Sequence, residues 1–196
     1  MTRTEGLYQT YGVDHHLERS AVFQILRKRY EWATTVLYPG CFIHVTPSFY
    51  FQHVVYVDRS DLARRFFADE EGVWRLVAAR KQYRPRAYVR FIGQDFTRPI
   101  PVPDAWFDLL LGLYAGGITR SCTRYLRPGG LLLTNDHAAD AADAAGKVDL
   151  DLVAVMSARR RQLVIDDRDL TGYLVEKQPD PPRARRHPPF ELPRHK

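Results

Sequence analysis

Phe107-Asp-Leu-Leu-Leu-Gly-Leu113 is an almost unbroken apolar run, and its reading decides the fold. Half-buried strands alternate apolar and polar residues, whereas a strand covered on both faces is apolar throughout. This run therefore predicts a central strand between two layers, ended by Gly116-Gly117. Outward from it, the same alternation of short apolar runs and amphipathic stretches recurs. Leu17 to Trp32 carries Val22, Phe23, Ile25, Leu26 and Tyr30 at helical spacing. A short buried strand follows at Ala33–Tyr38 and stops at Pro39-Gly40. A second strand, Val54–Asp58, precedes a charged helix over Asp61–Glu71 that Gly72 closes.

Beyond these, Tyr88–Gly93 reads as a strand and Arg98–Pro103 as a proline-rich loop. On the far side of Phe107–Leu113, Thr119–Leu126 reads as a short helix and Pro128-Gly129-Gly130 as a turn into a strand at Leu131–Asn135. His137–Ala145 reads as an alanine-rich helix and Leu150–Met156 as a strand, with Leu163–Ile165 or Tyr173–Val175 completing a terminal hairpin. Strands and helices alternating at this interval make βαβ units. The expected fold is α/β: a doubly wound, mostly parallel, Rossmann-like sheet with helices on both faces and a C-terminal antiparallel hairpin. The expected organisation is one domain over residues 1–178. Six prolines in the last eighteen residues argue for a disordered or surface-bound tail over 179–196.

The composition fits this. The 196 residues are 45% hydrophobic and 27% charged, which is globular and excludes general disorder. No apolar run reaches the roughly 18 residues of a membrane span, and the first residues lack a signal peptide's apolar stretch. A cytoplasmic protein is expected, and the two cysteines suit a reducing compartment. The seven histidines, the pair His15–His16 included, accompany no zinc-binding spacing, so no metal is expected. The net charge of +6 hints at nucleic acid, yet the tail alone supplies +3. The run Arg159–Arg161 is followed at once by Asp166, Asp167 and Asp169. A small-molecule partner is the preferred reading, with neither membrane nor nucleic acid as partner.

In such a sheet, ligands bind beyond the carboxyl ends of the strands. That places Tyr38-Pro39-Gly40, Asp58, Gln94-Asp95, Leu113–Gly116 and Asn135–His137 at the expected site. The order of these features resembles the class I S-adenosylmethionine-dependent methyltransferases. The resemblance covers about Val22 to Met156 and rests most on Tyr125-Leu-Arg-Pro-Gly-Gly-Leu-Leu-Leu133. The 20 residues between Tyr38 and Asp58 also suit that family. It implies S-adenosylmethionine as cofactor, with Asp58 taking the ribose hydroxyls and Asp95, beside Gln94 and Phe96, meeting the adenine amino group. A carboxylate is an acceptor with two oxygens, able to take two neighbouring hydroxyl donors. Tyr114 would stand near the transferred methyl, and His44, Tyr114 and His137 are candidate bases.

The sequence departs from the family at the first loop. Tyr38-Pro-Gly-Cys-Phe-Ile-His-Val-Thr-Pro-Ser48 holds one glycine and no acid where the family has several glycines and an acidic residue. Two outcomes follow. Either Tyr38, His44, Thr46 and Ser48 rebuild the pocket, or Phe42, Ile43 and Phe49 fill it and a binding or scaffold protein without transfer remains. The strand-end carboxylates, otherwise without a role, favour the first. A nucleic-acid-binding protein, motivated by the basic tail, is the third reading.

Overall fold

A computed structural model describes residues 2–13, 19–113, 115–135, 139–159, 162–168, 170 and 173. Five strands lie in one parallel sheet: β1 (Thr35–Pro39), β2 (His53–Val57), β3 (Tyr88–Ile92), β4 (Phe107–Gly112) and β5 (Leu126–Thr134), in the order β3-β2-β1-β4-β5. The apolar run does form a central strand, and β4 is buried along its whole length.

Side chains alternate across the sheet and so build two cores. Val36, Tyr38, Val54, Tyr56, Leu109 and Leu111 face one cluster, while Leu37, Val55, Val57 and Leu110 face the other. The first face is covered by α2 (Ser20–Arg29), α3 (Asp61–Ala68) and α4 (Glu70–Arg80), through Phe23, Leu26, Phe66, Phe67, Leu76 and Val77. A helix at Arg3–Tyr8, α1, adds Tyr8 to that core. The second face is covered more thinly, by Ile100 of the proline loop, α5 (Ile118–Cys122) and a 3₁₀ turn at Thr123–Tyr125. Connections before β3 thus lie on one face and those after it on the other. The fold is a doubly wound, Rossmann-like α/β sheet, and its winding reverses between β1 and β4. A separate antiparallel hairpin, β6 (Val155–Arg159) with β7 (Gln162–Asp166), follows α6 (Asp140–Ala145).

Several elements differ from the expectation. Gly72 does not close a helix: α3 ends at Ala68, Asp69 accepts a hydrogen bond from the Gly72 amide, and α4 runs on to Arg80. Asp69 is a good N-cap, and a glycine in the first turn costs a helix little. Pro128-Gly129-Gly130 does not end an element either, because β5 runs through it. β5 is the sheet edge, where a proline's missing N–H and the bulge at Gly129 (φ +74°) are tolerated. The strand expected over Leu150–Met156 begins only at Val155 and pairs in the hairpin. The helix expected over Leu17–Trp32 forms at Ser20–Arg29. His15, His16, Arg160, Arg161, the stretch 174–175 and the tail 179–196 lie outside the described residues. No helix among the described residues is long and apolar enough to cross a membrane.

Candidate functional site

The carboxyl ends of β1, β2 and β3 and the segment after β4 surround a cleft of about 390 Å³, at the switch point of the sheet. It is lined by Gly40, by Asp58 and Arg59, by Asp95, Phe96 and Thr97, and by Ala115 and Gly116. Its size falls within the roughly 300–1,000 Å³ of small-molecule pockets.

Neither strand-end carboxylate is idle. Asp58 Oδ2 accepts the Phe42 amide at 2.8 Å and Oδ1 the Ser60 amide at 2.7 Å, so it ties the end of β2 to the loop after β1. Asp95 Oδ1 accepts the Thr97 amide at 2.9 Å and its hydroxyl at 2.8 Å, a side-chain turn. Its Oδ2 stands 3.3 Å from Arg59 Nη1. The Thr97 donors, with Arg59 and Arg98 nearby, hold the Asp95 carboxyl below its ordinary range despite some opposing burial. Asp95 therefore stays ionised at neutral pH, and each carboxylate retains lone-pair sites for a ligand. Gly40 has φ +63°, and a Cβ there would stand 2.3 Å from Ala115 Cβ. The glycine is needed for this close approach of β1's end to the segment after β4.

The other candidate residues sit elsewhere. Tyr38 Oη and His44 Nδ1 are 2.9 Å apart inside the first-face core, where His44 packs on Phe23. Thr46 Oγ1 lies 2.8 Å from Tyr8 Oη, and Ser48 Oγ lies 2.7 Å from Tyr56 Oη. These are buried polar groups satisfied by one another. None of the four lines the cleft. Pro39 ends β1 beside Val57, and Gln94 Nε2 donates to the Pro99 carbonyl at 3.0 Å, toward the proline loop. The structure thus brings Gly40, Asp58, Asp95 and Phe96 together and leaves Tyr38, His44 and Thr46 in the core. Ile43 and Phe49 pack into that same core and Phe42 against Tyr11, so the cleft stays open. Tyr114 and His137 lie outside the described residues.

Ala115 and Gly116, from the expected segment after the central strand, line the cleft, and so do Arg59 and Thr97, which the sequence reading does not single out. Asp95-Phe-Thr97 carries the signal of a side-chain turn, and Arg59 follows Asp58 directly; both were legible. Burial pushes the Cys41 thiol well above its ordinary range and the Cys122 thiol to about 12, so neither offers a thiolate near neutral pH. Among the described residues, no group of three or more His, Cys, Asp or Glu side chains could hold a metal ion. Among the described residues the arrangement is one for binding: the carboxylates of Asp58 and Asp95, the Phe96 ring and the Arg59 guanidinium around the cleft.

No family model and no curated protein matches the chain. Solved structures that share its outline include the cyclase SpnF, at 18% identity and a TM-score of 0.42 over 58% of this chain and 43% of that one. The sugar N-methyltransferase KedS8 from Streptoalloteichus is 19% identical, with a TM-score of 0.42 over 67% of this chain and 52% of that one. The N-methyltransferase NodS from Bradyrhizobium japonicum, solved with S-adenosyl-L-homocysteine, is 17% identical, with a TM-score of 0.37 over 56% of each chain. The chain spans 43% of the length of SpnF, 52% of KedS8 and 56% of NodS. At this level of likeness, the fold stands on the strand order and the windings, and the site on its own geometry.

Proposed function

We propose that the carboxyl-edge cleft binds S-adenosylmethionine by its adenosine end, and that the chain serves methyl transfer to a small-molecule acceptor. The observation that carries this reading is the convergence of Asp58 and Asp95, from the ends of adjacent strands, on one cleft beside Gly40. The donor–acceptor chemistry matches. Adenosine presents hydroxyl and amine donors; Asp58 and Asp95 present acceptors, and Phe96 adds an apolar wall. The amino-acid half of the cofactor is served less well. Arg59 suits its carboxylate, but among the described residues no third acid lines the cleft for its ammonium. When bound, the cofactor supplies an activated methyl group. The chain's part is then to hold the donor and acceptor in line and to exclude water, and positioning of this kind supplies much of the acceleration.

A second reading has its own observation. The crossover from β1 to β2, residues 40–52, holds only a 3₁₀ turn at Thr46–Phe49, and Ile43 and Phe49 are buried in it. A binding or scaffold protein without transfer suits that reduced crossover. Calorimetry with S-adenosylmethionine and its demethylated product tests both. Measurable binding that Asp58→Ala weakens by about 1–3 kcal/mol, the scale for hydrogen bonds to a charged acceptor, supports the first reading. No heat at millimolar cofactor would sink it. Binding without methylation of hydroxyl and amine acceptors would favour the second.

A further inference from the structure

Residues 72–98 carry seven basic side chains and one acidic one, although the whole chain has a net charge of only +6. The fold collects part of this charge on one rim. β3 is an edge strand, and Arg84, Arg86 and Arg90, from β3 and the loop before it, are all exposed. None of the three takes part in an ion pair among the described residues.

Beside them the sheet shows a bare aromatic surface. Val89 and Phe91 point into the first core, so Tyr88 and Arg90 lie on the second face. The proline loop reaches only as far as Arg90, whose Nη2 is 3.5 Å from the Pro101 carbonyl oxygen. Past it, Tyr88 is 50% exposed and His53, its partner in register on β2, is also exposed, their ring centroids 5.7 Å apart. Charge on an edge strand also guards against strand-to-strand aggregation, and a single arginine would do that. Three exposed arginines without an ion pair among the described residues, beside an exposed aromatic pair, are more than this guard requires.

We propose that this edge of the sheet binds single-stranded nucleic acid, with phosphates on Arg84, Arg86 and Arg90 and a base stacked on Tyr88 beside His53. Stacking on an aromatic ring needs an unpaired base, while the arginines track the backbone. An acidic protein or a lipid surface could use the charge and bury the ring, whereas an unpaired base stacks on its face, and the duplex, single-strand and vesicle arms of the test separate these. The site is distinct from the cleft, which none of these residues lines.

Fluorescence anisotropy of the full chain tests it, using a labelled mixed-sequence 12-nucleotide RNA, the same sequence as single-stranded DNA, and its duplex, over a salt series. Single strands should bind more tightly than the duplex. With three phosphate contacts, log affinity should fall against log salt with a slope of about −2. The triple variant Arg84→Glu, Arg86→Glu, Arg90→Glu should lose at least about tenfold in affinity. Tyr88→Ala should lose about 5- to 150-fold, the scale of one base–aromatic stack. All four positions are exposed, so the variants should melt with the wild type. The proposal is overturned by wild-type affinity in the triple variant, by no change in Tyr88→Ala, or by duplex or anionic phosphatidylserine vesicles binding as tightly as the single strand.

Discussion

Asp108→Asn should cost the fold about 2.5 kcal/mol at pH 7 and roughly half of that at pH 3. Asp108 is 8% exposed at the start of β4. Its Oδ2 accepts the amides of Thr34 and Thr35 at 2.8 and 2.9 Å and the Thr35 hydroxyl at 2.9 Å, and its Oδ1 accepts Arg127 Nε at 2.5 Å. One carboxylate thus pins the start of β1 and the edge strand β5 to the strand between them. Burial pushes its pKa up, and these donors together outweigh burial, taking it from 3.8 to about 2. Each unit is worth about 1.4 kcal/mol, so that fall amounts to about 2.5 kcal/mol. The folded value lies below the unfolded one. The stabilisation is therefore complete above about pH 4 and is lost as pH falls through 2. Asparagine keeps one acceptor oxygen but loses the charge that Arg127 faces. For a chain of this size the melting temperature should drop by about 5–10 °C at pH 7. Urea unfolding of wild type and variant at pH 7, 5 and 3 measures the difference. A cost below about 0.5 kcal/mol at pH 7, or one that does not shrink between pH 5 and pH 3, refutes this account.

Gly40→Ala should destabilise by about 2 kcal/mol or more, because a left-handed backbone and the 2.3 Å approach to Ala115 Cβ both oppose a side chain there. Adding Ala115→Gly should restore part of that loss in urea melts, leaving only the backbone cost. Tyr56→Phe removes a fully buried hydroxyl that donates to the Val45 carbonyl and accepts the Ser48 amide. Its expected cost is about 1–3 kcal/mol by denaturant midpoint, since those partners are left unpaired. Cys41 and Cys122 should resist Ellman's reagent at pH 8 in the native protein and react fully in guanidinium, as both thiols are buried and held protonated.

The sheet was legible because its strands are covered on both faces and so appear as apolar runs: Val54–Val57 and Phe107–Leu113 fell almost where they form. Elements whose packing is one-sided or whose signals conflict were not. Residues 73–80 of α4 were missed because Gly72 looked like a stop, and only the Asp69 side chain on its amide shows that the helix begins there. The edge strand β5 holds Pro128 and two glycines, a turn signal in any window, and only its place at the rim makes that sequence a strand. The basic rim was hidden for a different reason. Net charge sums over the body, where acidic residues elsewhere cancel it, and sequence gives no sign that β3 is an edge.

The site was half legible, and the legible half bears on the class of ligand. Strand-end positions follow from topology, so Asp58, Asp95 and Gly40 follow from strand order alone, whereas Thr46 and His44 read as available because Tyr8 and Phe23, which cover them, come from distant helices, and Tyr38 is bonded to His44. A Rossmann-like sheet that binds a dinucleotide holds the pyrophosphate on the first turn of a helix after β1, where glycines let the backbone approach and the dipole is positive. Here Gly40 is followed by Cys41, Phe42 and Ile43, and the first helical turn of the crossover begins at Thr46 within the core. The Phe42 amide, one of the donors a phosphate would need, is already given to Asp58. Among the described lining residues Asp58 and Asp95 offer acceptors beside Arg59, with Arg98 nearby, an arrangement that suits a ligand rich in hydrogen-bond donors. The adenosine end of the proposed ligand has that property.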